Sequence, residues 1–227
     1  MDSIPEGPDR QQAMITFLTT EHFTLQGARS SSVAEVNSRL QIYMGFVSMS
    51  VLALALVAQL SNTLEADAFF AFAFVLLPVA YIFGLATGER LNQAWAEWFV
   101  AGQGMSRIRR FFIDVAPEAS RYLTFPSTDE PIATLSAIGI RVGGRLRGFV
   151  TAFAVVAIVN SIVAGVFAGL VVVRLSERGV VAAAAGGVLF LASLIGLMEM
   201  GRRRFLRIVA AAEVRFPPDE PRSTSEV

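Results

Sequence analysis

The chain has 227 residues, of which 54% are hydrophobic and only 17% charged, far greasier than a soluble domain of this length. Its 19 acidic and 19 basic residues cancel, which removes any global electrostatic argument for a nucleic-acid partner. With no cysteine, disulfides, thiol nucleophiles and thiolate metal sites are excluded. Every basic residue is arginine, a bias that with the Ala and Val content points to a GC-rich bacterial genome.

The N-terminus, MDSIPEGPDRQQ, lacks a basic stretch followed by an apolar one, so no cleavable signal peptide is expected and the first apolar segment should act as its own insertion signal. Residues 9–40 are predicted as a helix. Met14, Leu18, Leu25, Ala28, Val36 and Leu40 fall near one face at helical spacings. Unbroken, this helix would extend about 45 Å at 1.5 Å per residue.

Four uncharged runs follow: 41–64 (24 residues), 68–88 (21), 148–173 (26) and 179–198 (20). Each reaches the roughly 20 apolar residues needed to cross a hydrocarbon core, and a chain this short cannot bury four such runs in a soluble core. The predicted fold is therefore all-α, an integral membrane protein with four transmembrane helices. Pro78 in the second run predicts a kink.

Between the second and third runs, residues 89–147 form a charged helical segment. Leu91, Trp95, Trp98, Met105, Ile108 and Phe112 repeat at three-to-four spacing, with Gly102 in the same stripe. The first two spans are therefore expected to extend into a helical hairpin, in which Trp95 and Trp98 pack rather than anchor at the interface. This helix should end near Asp114. A short turn or helix follows over 118–123, then a loop with Pro126 and Pro131. A further helix from about Ile132 is expected to lead into span three, with a bend at Gly143-Gly144. After span four, helix is predicted through Arg207 towards Val214, ahead of a disordered tail.

Arginine counts set the orientation. Seventeen lie before span one, in 89–147 or after span four, and two, Arg174 and Arg178, between spans three and four. The positive-inside rule then puts residues 1–40, 89–147 and 199–227 in the cytoplasm. The expected location is the bacterial cytoplasmic membrane.

The segments Leu18 to Gln26, Ser106 to Phe112 with Ala116-Pro117-Glu118-Ala119, and Ala157-Ile158-Val159-Asn160 resemble a family of uncharacterised actinobacterial multi-pass integral membrane proteins. The resemblance implies the same topology and no chemistry.

No pattern in the chain points to catalysis. The runs hold no ionisable group, and the single histidine, His22, lies outside them, which argues against intramembrane proteolysis of the serine–histidine type. Glu21 beside His22 would not make an acid–base pair, because adjacent helical residues do not face each other. No phosphate-binding glycine loop is present. No catalytic, cofactor-binding or metal-binding residue is assigned, and no cofactor.

Two groups of residues invite a role. Asn160 and Ser161 are the most polar residues deep in a span, and Ser161, Gly165 and Gly169 with Gly186 and Gly187 offer smooth surfaces for close helix packing; the alternatives are packing within one subunit, a subunit interface, or a pore lining. Arg141, Arg145, Arg147, Arg202, Arg203, Arg204 and Arg207 form a basic collar suited to anionic lipid, a role that stands beside simple topology fixing. The expected function is a non-enzymatic membrane scaffold or signalling component with a cytoplasmic helical interaction module. The alternative is an oligomeric channel lined by span three. The implied partners are the lipid bilayer, a homo-oligomeric copy or a cytoplasmic protein.

Overall fold

The computed structural model describes residues 8–60, 66–139, 151–176 and 178–217, and among these the fold is helical with no strand. Five α-helices and one 3-10 helix follow in order: α1 (Pro8–Leu60), α2 (Ala66–Val115), the 3-10 helix (Pro117–Tyr122), α3 (Pro131–Ala137), α4 (Ala152–Ser176) and α5 (Gly179–Ala210). Four of them, α1, α2, α4 and α5, are long and apolar enough to cross a membrane.

The helix boundaries follow from local chemistry. Pro8 opens α1, where its missing N–H costs nothing, and Asp9 lies in the first turn against the positive end of the helix. Within α1, Thr16, Thr20 and Thr24 each turn their hydroxyl back onto the carbonyl four residues earlier, so three polar groups are satisfied without leaving the helix. Pro78 lies inside α2. Thr151 caps α4, its Oγ1 accepting the amide of Ala154 at 3.1 Å.

The helix expected to run from Ile132 into span three is shorter than predicted. It ends after Ala137, and Gly139 at φ 87° takes a left-handed conformation that favours glycine and stops a helix. Helix α5 likewise ends at Ala210, before Val214. The proposed bend at Gly143-Gly144 lies outside the described residues.

The chain divides into two compact units, Met1–Val33, Trp95–Gly143 and Ile208–Val227 in one and Ala34–Ala94 and Gly144–Arg207 in the other. Three of the four divisions fall inside α1, α2 and α5 and not at the ends of the uncharged runs.

In the second unit, Ala73, Leu77 and Ala80 of α2 meet Val163 of α4, flanked by Phe46 and Leu54 of α1 and by Tyr81, Phe167 and Leu170. Edge-to-face ring contacts extend this core, Phe46 to Phe83 at 5.5 Å and Phe74 to Phe167 at 5.8 Å. Only 11% of the most apolar window of α1 and of α5 is buried by protein. Ile42, Met49, Leu52 and Leu56 on α1 and Val188, Leu191 and Ile195 on α5 stay exposed. Such faces would associate in water, whereas lipid tails cover them at no cost, so the packing supports the multi-pass membrane class that composition predicts.

In the first unit the core is Phe99, Met105 and Ile108 of α2 with Leu135 and Ala137 of the α3 segment. Trp95 stacks on Phe99 at 5.8 Å. Glycines bring the neighbours close: a Cβ on Gly102 would lie 3.0 Å from Thr134 Cγ2, and one on Gly104 would lie 3.0 Å from Leu25 Cδ1. Gly102 thus serves the contact with α3, while Leu25 of the predicted α1 stripe packs over Gly104. Met14 of the same stripe is exposed.

Candidate functional site

Three arrangements concentrate the polar chemistry of the described residues, and each belongs to one unit.

The first is at the middle of α4. Asn160 is 1% exposed, and its Oδ1 accepts a hydrogen bond from the Tyr43 hydroxyl at 3.3 Å. A bond of this kind between membrane helices contributes on the order of 1 kcal/mol. The amide fits because residue 84 is glycine: a Cβ there would overlap the Asn160 side chain and lie 2.8 Å from the Tyr43 hydroxyl. Asn160 Nδ2 is buried without a partner, beside a cavity of about 10 Å³ lined by Gly84, Gly88, Phe153, Leu197 and Met200 among others. Ser161, fully buried, donates to Ala157 O at 2.7 Å and meets Ser193 Oγ of α5 at 3.2 Å.

One turn further along α4, the small-residue ridge lies on α5. A Cβ on Gly165 would stand 2.8 Å from Gly186 O, and one on Gly186 would stand 2.7 Å from Gly165 O. Gly169 faces Ala182 O at 3.5 Å from its own would-be Cβ. Gly187 takes no part in this seam, since nothing lies within 4 Å of a Cβ built there. Ser161, Gly165, Gly169 and Gly186 therefore form one intrachain contact between α4 and α5, with the backbones as close as only glycine permits.

The second arrangement is the basic end of α5. Glu199 accepts from Arg202 at 2.7 and 2.9 Å and from Arg203 at 2.7 Å, and Arg204 pairs with Glu89 of α2. Arg207 makes no ion pair among the described residues. An open groove of about 510 Å³ runs along this face, lined by Ile195, Gly196, Glu199, Met200, Arg203, Arg204 and Arg207. Arg141, Arg145 and Arg147 of the predicted collar lie outside the described residues. At the other end of the unit Arg174 pairs with Asp67 at 2.5 Å.

The third arrangement has no signal in the sequence pattern. Asp129, buried and in the loop after the 3-10 helix, gathers α2 and the C-terminal segment. Its carboxylate accepts from Arg107 Nε at 2.8 Å, from the amide of Arg215 at 3.0 and 3.1 Å, and from the amide of Phe216 at 2.8 Å. Its own amide donates to Phe216 O at 3.3 Å, and its carbonyl accepts from Gln103 Nε2 at 2.9 Å. Arg107 completes the clasp by donating to Glu213 O at 2.8 Å. Burial raises the Asp129 carboxyl, but the Arg107 guanidinium and the two amides outweigh it and hold the group below the usual carboxylate value. Nothing in the STDE run that contains Asp129 marks it, since its partners stand 22, 86 and 87 residues away.

His22 stands apart from all three. Its Nε2 lies 3.1 Å from Gln26 Nε2 and its Nδ1 is buried without a partner. Burial, then the charge of Arg109, lowers the imidazole below its ordinary value, so it is neutral at pH 7. Arg109 rests over the Phe125 ring at 5.2 Å and donates to Pro126 O. Trp98, predicted to pack, has its indole Nε1 buried. Among the described residues no group of three or more His, Asp or Glu side chains could hold a metal.

No family model matches the chain, and neither the curated proteins nor the solved structures contain a similar one.

Proposed function

We propose that this protein is a non-enzymatic scaffold of the bacterial cytoplasmic membrane, with both termini and residues 89–147 on the cytoplasmic side, and that its helical unit there docks a protein partner or a second copy. In this reading α1 and α2 form the predicted hairpin. It is supported by the order of their contacts, since Leu25 meets Gly104, Ser32 meets Glu97, Glu35 meets Arg90 and Tyr43 meets Phe83. Partner numbers on α2 fall as those on α1 rise, as they do between antiparallel helices.

The observation that carries the function is apolar surface outside the four uncharged runs. Phe17 (69% exposed), Phe23 (66%) and Ile132 (69%) belong to residues that the reading keeps out of the hydrocarbon, where water would face them uncovered. Contiguous exposed apolar surface marks contact sites on proteins, and these side chains are proposed to belong to one. The polar groups speak against the alternative of a channel lined by span three: Asn160 and Ser161 are both buried within the chain, with Asn160 Oδ1 bonded to Tyr43 and Ser161 Oγ to Ser193. Kinship with the actinobacterial membrane family is retained as part of the proposal, resting on the segments quoted above.

Chemical cross-linking in native membranes, followed by mild solubilisation and mass spectrometry, tests this. A homo-oligomer or a stoichiometric partner is expected, lost in the double variant Phe17→Ser, Phe23→Ser while the monomer stays folded. Recovery of the wild-type chain as an uncross-linked monomer with no companion would overturn the scaffold reading.

A further inference from the structure

We propose that the groove on α5 is a binding site for an anionic phospholipid, with its phosphate held by the arginines and an acyl chain laid along the apolar end. This rests on the membrane reading above and not on the scaffold role. Gly196, Glu199, Met200, Arg203 and Arg207 recur at three-to-four spacing, so they share one face of the helix. From Gly196 to Arg207 that face spans about 16 Å at 1.5 Å per residue. Its character changes along the way. Ile195, Gly196 and Met200 supply an apolar end at the close of the last uncharged run, and Arg203, Arg204 and Arg207 a cationic end beyond it. A phospholipid has this same order of parts at a membrane boundary.

The charges around the groove do not cancel. Of the three arginines that line it, Arg203 pairs with Glu199 and Arg204 with Glu89, leaving one positive charge without a counter-ion among the described residues. Arg207 is the one with no ion pair, and a guanidinium at the headgroup level is suited to two-point hydrogen bonding with a phosphodiester. The apolar end is kept open by a missing side chain. Nothing lies within 4 Å of a Cβ built on Gly196, so the residue is glycine for no packing reason inside the chain. A small residue there leaves room for something the chain itself does not supply.

The test uses the purified full-length chain in mild detergent, titrated with phosphatidylglycerol or with phosphatidylcholine and read by native mass spectrometry. Phosphatidylglycerol is expected to bind and phosphatidylcholine to bind several-fold more weakly. Arg207→Gln should weaken phosphatidylglycerol about fivefold, the equivalent of the roughly 1 kcal/mol such a residue adds near an anionic headgroup. Gly196→Leu should weaken it by a similar factor without changing any charge, and Gly196→Ala less, giving a graded series if the larger side chain perturbs folding. Arg202→Gln, whose side chain is exposed and does not line the groove, should change binding less than twofold. Equal loss in Arg202→Gln would mean a diffuse basic collar and overturn the site, as would Gly196→Leu and Gly196→Ala both binding like the wild type. Displacement of the lipid by millimolar inorganic phosphate would also overturn it, since a free anion would then suffice. A wild-type chain without oligomer or partner leaves this result untouched and sinks only the scaffold reading.

Discussion

Replacing Asp129 with alanine is expected to cost about 3 kcal/mol and to free residues 213–216 from the rest of their unit. Removing one member of a buried ion pair typically costs 3–5 kcal/mol, and the lower end applies because Arg107 keeps about a quarter of its side chain in solvent. The same carboxylate is also the acceptor for two backbone amides, Arg215 and Phe216, whose loss of partner adds to the penalty. The tail contributes only main-chain groups to the clasp, so Arg215→Ala should leave it in place, whereas Arg215→Pro, which removes the amide, should release it. Hydrogen exchange at residues 215 and 216 reads Asp129→Ala and Arg215→Ala, and exchange at Phe216 alone reads Arg215→Pro.

Acid should act as Asp129→Ala does. The folded carboxyl lies below its unfolded value of 3.8, so its contribution is complete above that value and is lost as pH falls through the folded one. The clasp should therefore hold at pH 5 and loosen below about pH 4. Loss of protection at the two amides while pH is still above 5, or protection that survives Asp129→Ala, would contradict the assignment.

The second large effect is expected at Gly186. Gly186→Leu places a side chain against Gly165 O and Gly169 Cα, and both obstacles are backbone, which no rotamer change can move aside. The helices must separate, losing the Ser161–Ser193 bond along with their contact surface. Overpacking of this kind costs about 3 kcal/mol. Gly187→Leu, one position on, points into open space and exchanges a glycine for a better helix former, so it should be neutral or slightly stabilising. Unfolding in mixed micelles compares the two, and equal stability of Gly186→Leu and Gly187→Leu would refute the seam.

The contrast between Gly186 and Gly187 shows where a sequence stops being legible. Composition and run length suffice for four apolar helices, because a bilayer demands a fixed length of uncharged chain. The ridge Ser161, Gly165 and Gly169 is also readable, since four-residue spacing puts it on one face. Which of two adjacent glycines meets that ridge depends on the rotation of α5, and a 100° difference between neighbours leaves no local trace. Asn160 could be singled out for its depth, but Tyr43 and Gly84, which bond it and make room for it, come from other helices. Asp129 was invisible for a related reason. Apart from Arg107, its carboxylate's partners are main-chain amides, identical in every residue except proline, so no side-chain pattern announces them. The helix after Ile132 failed at Gly139, where a left-handed φ overrode a favourable apolar pattern.

In the proposed topology the four uncharged runs cross the bilayer and leave residues 1–40, 89–147 and 199–227 on one side, away from the α4–α5 connection. Because the natural chain has no cysteine, single cysteines can be introduced at Gln12, Glu118, Val214 and Ser176 and labelled in intact cells with an impermeant maleimide. The first three are predicted to stay protected until the membrane is opened, and Ser176→Cys to react at once. Reaction of Ser176→Cys and Glu118→Cys from the same side would contradict the account.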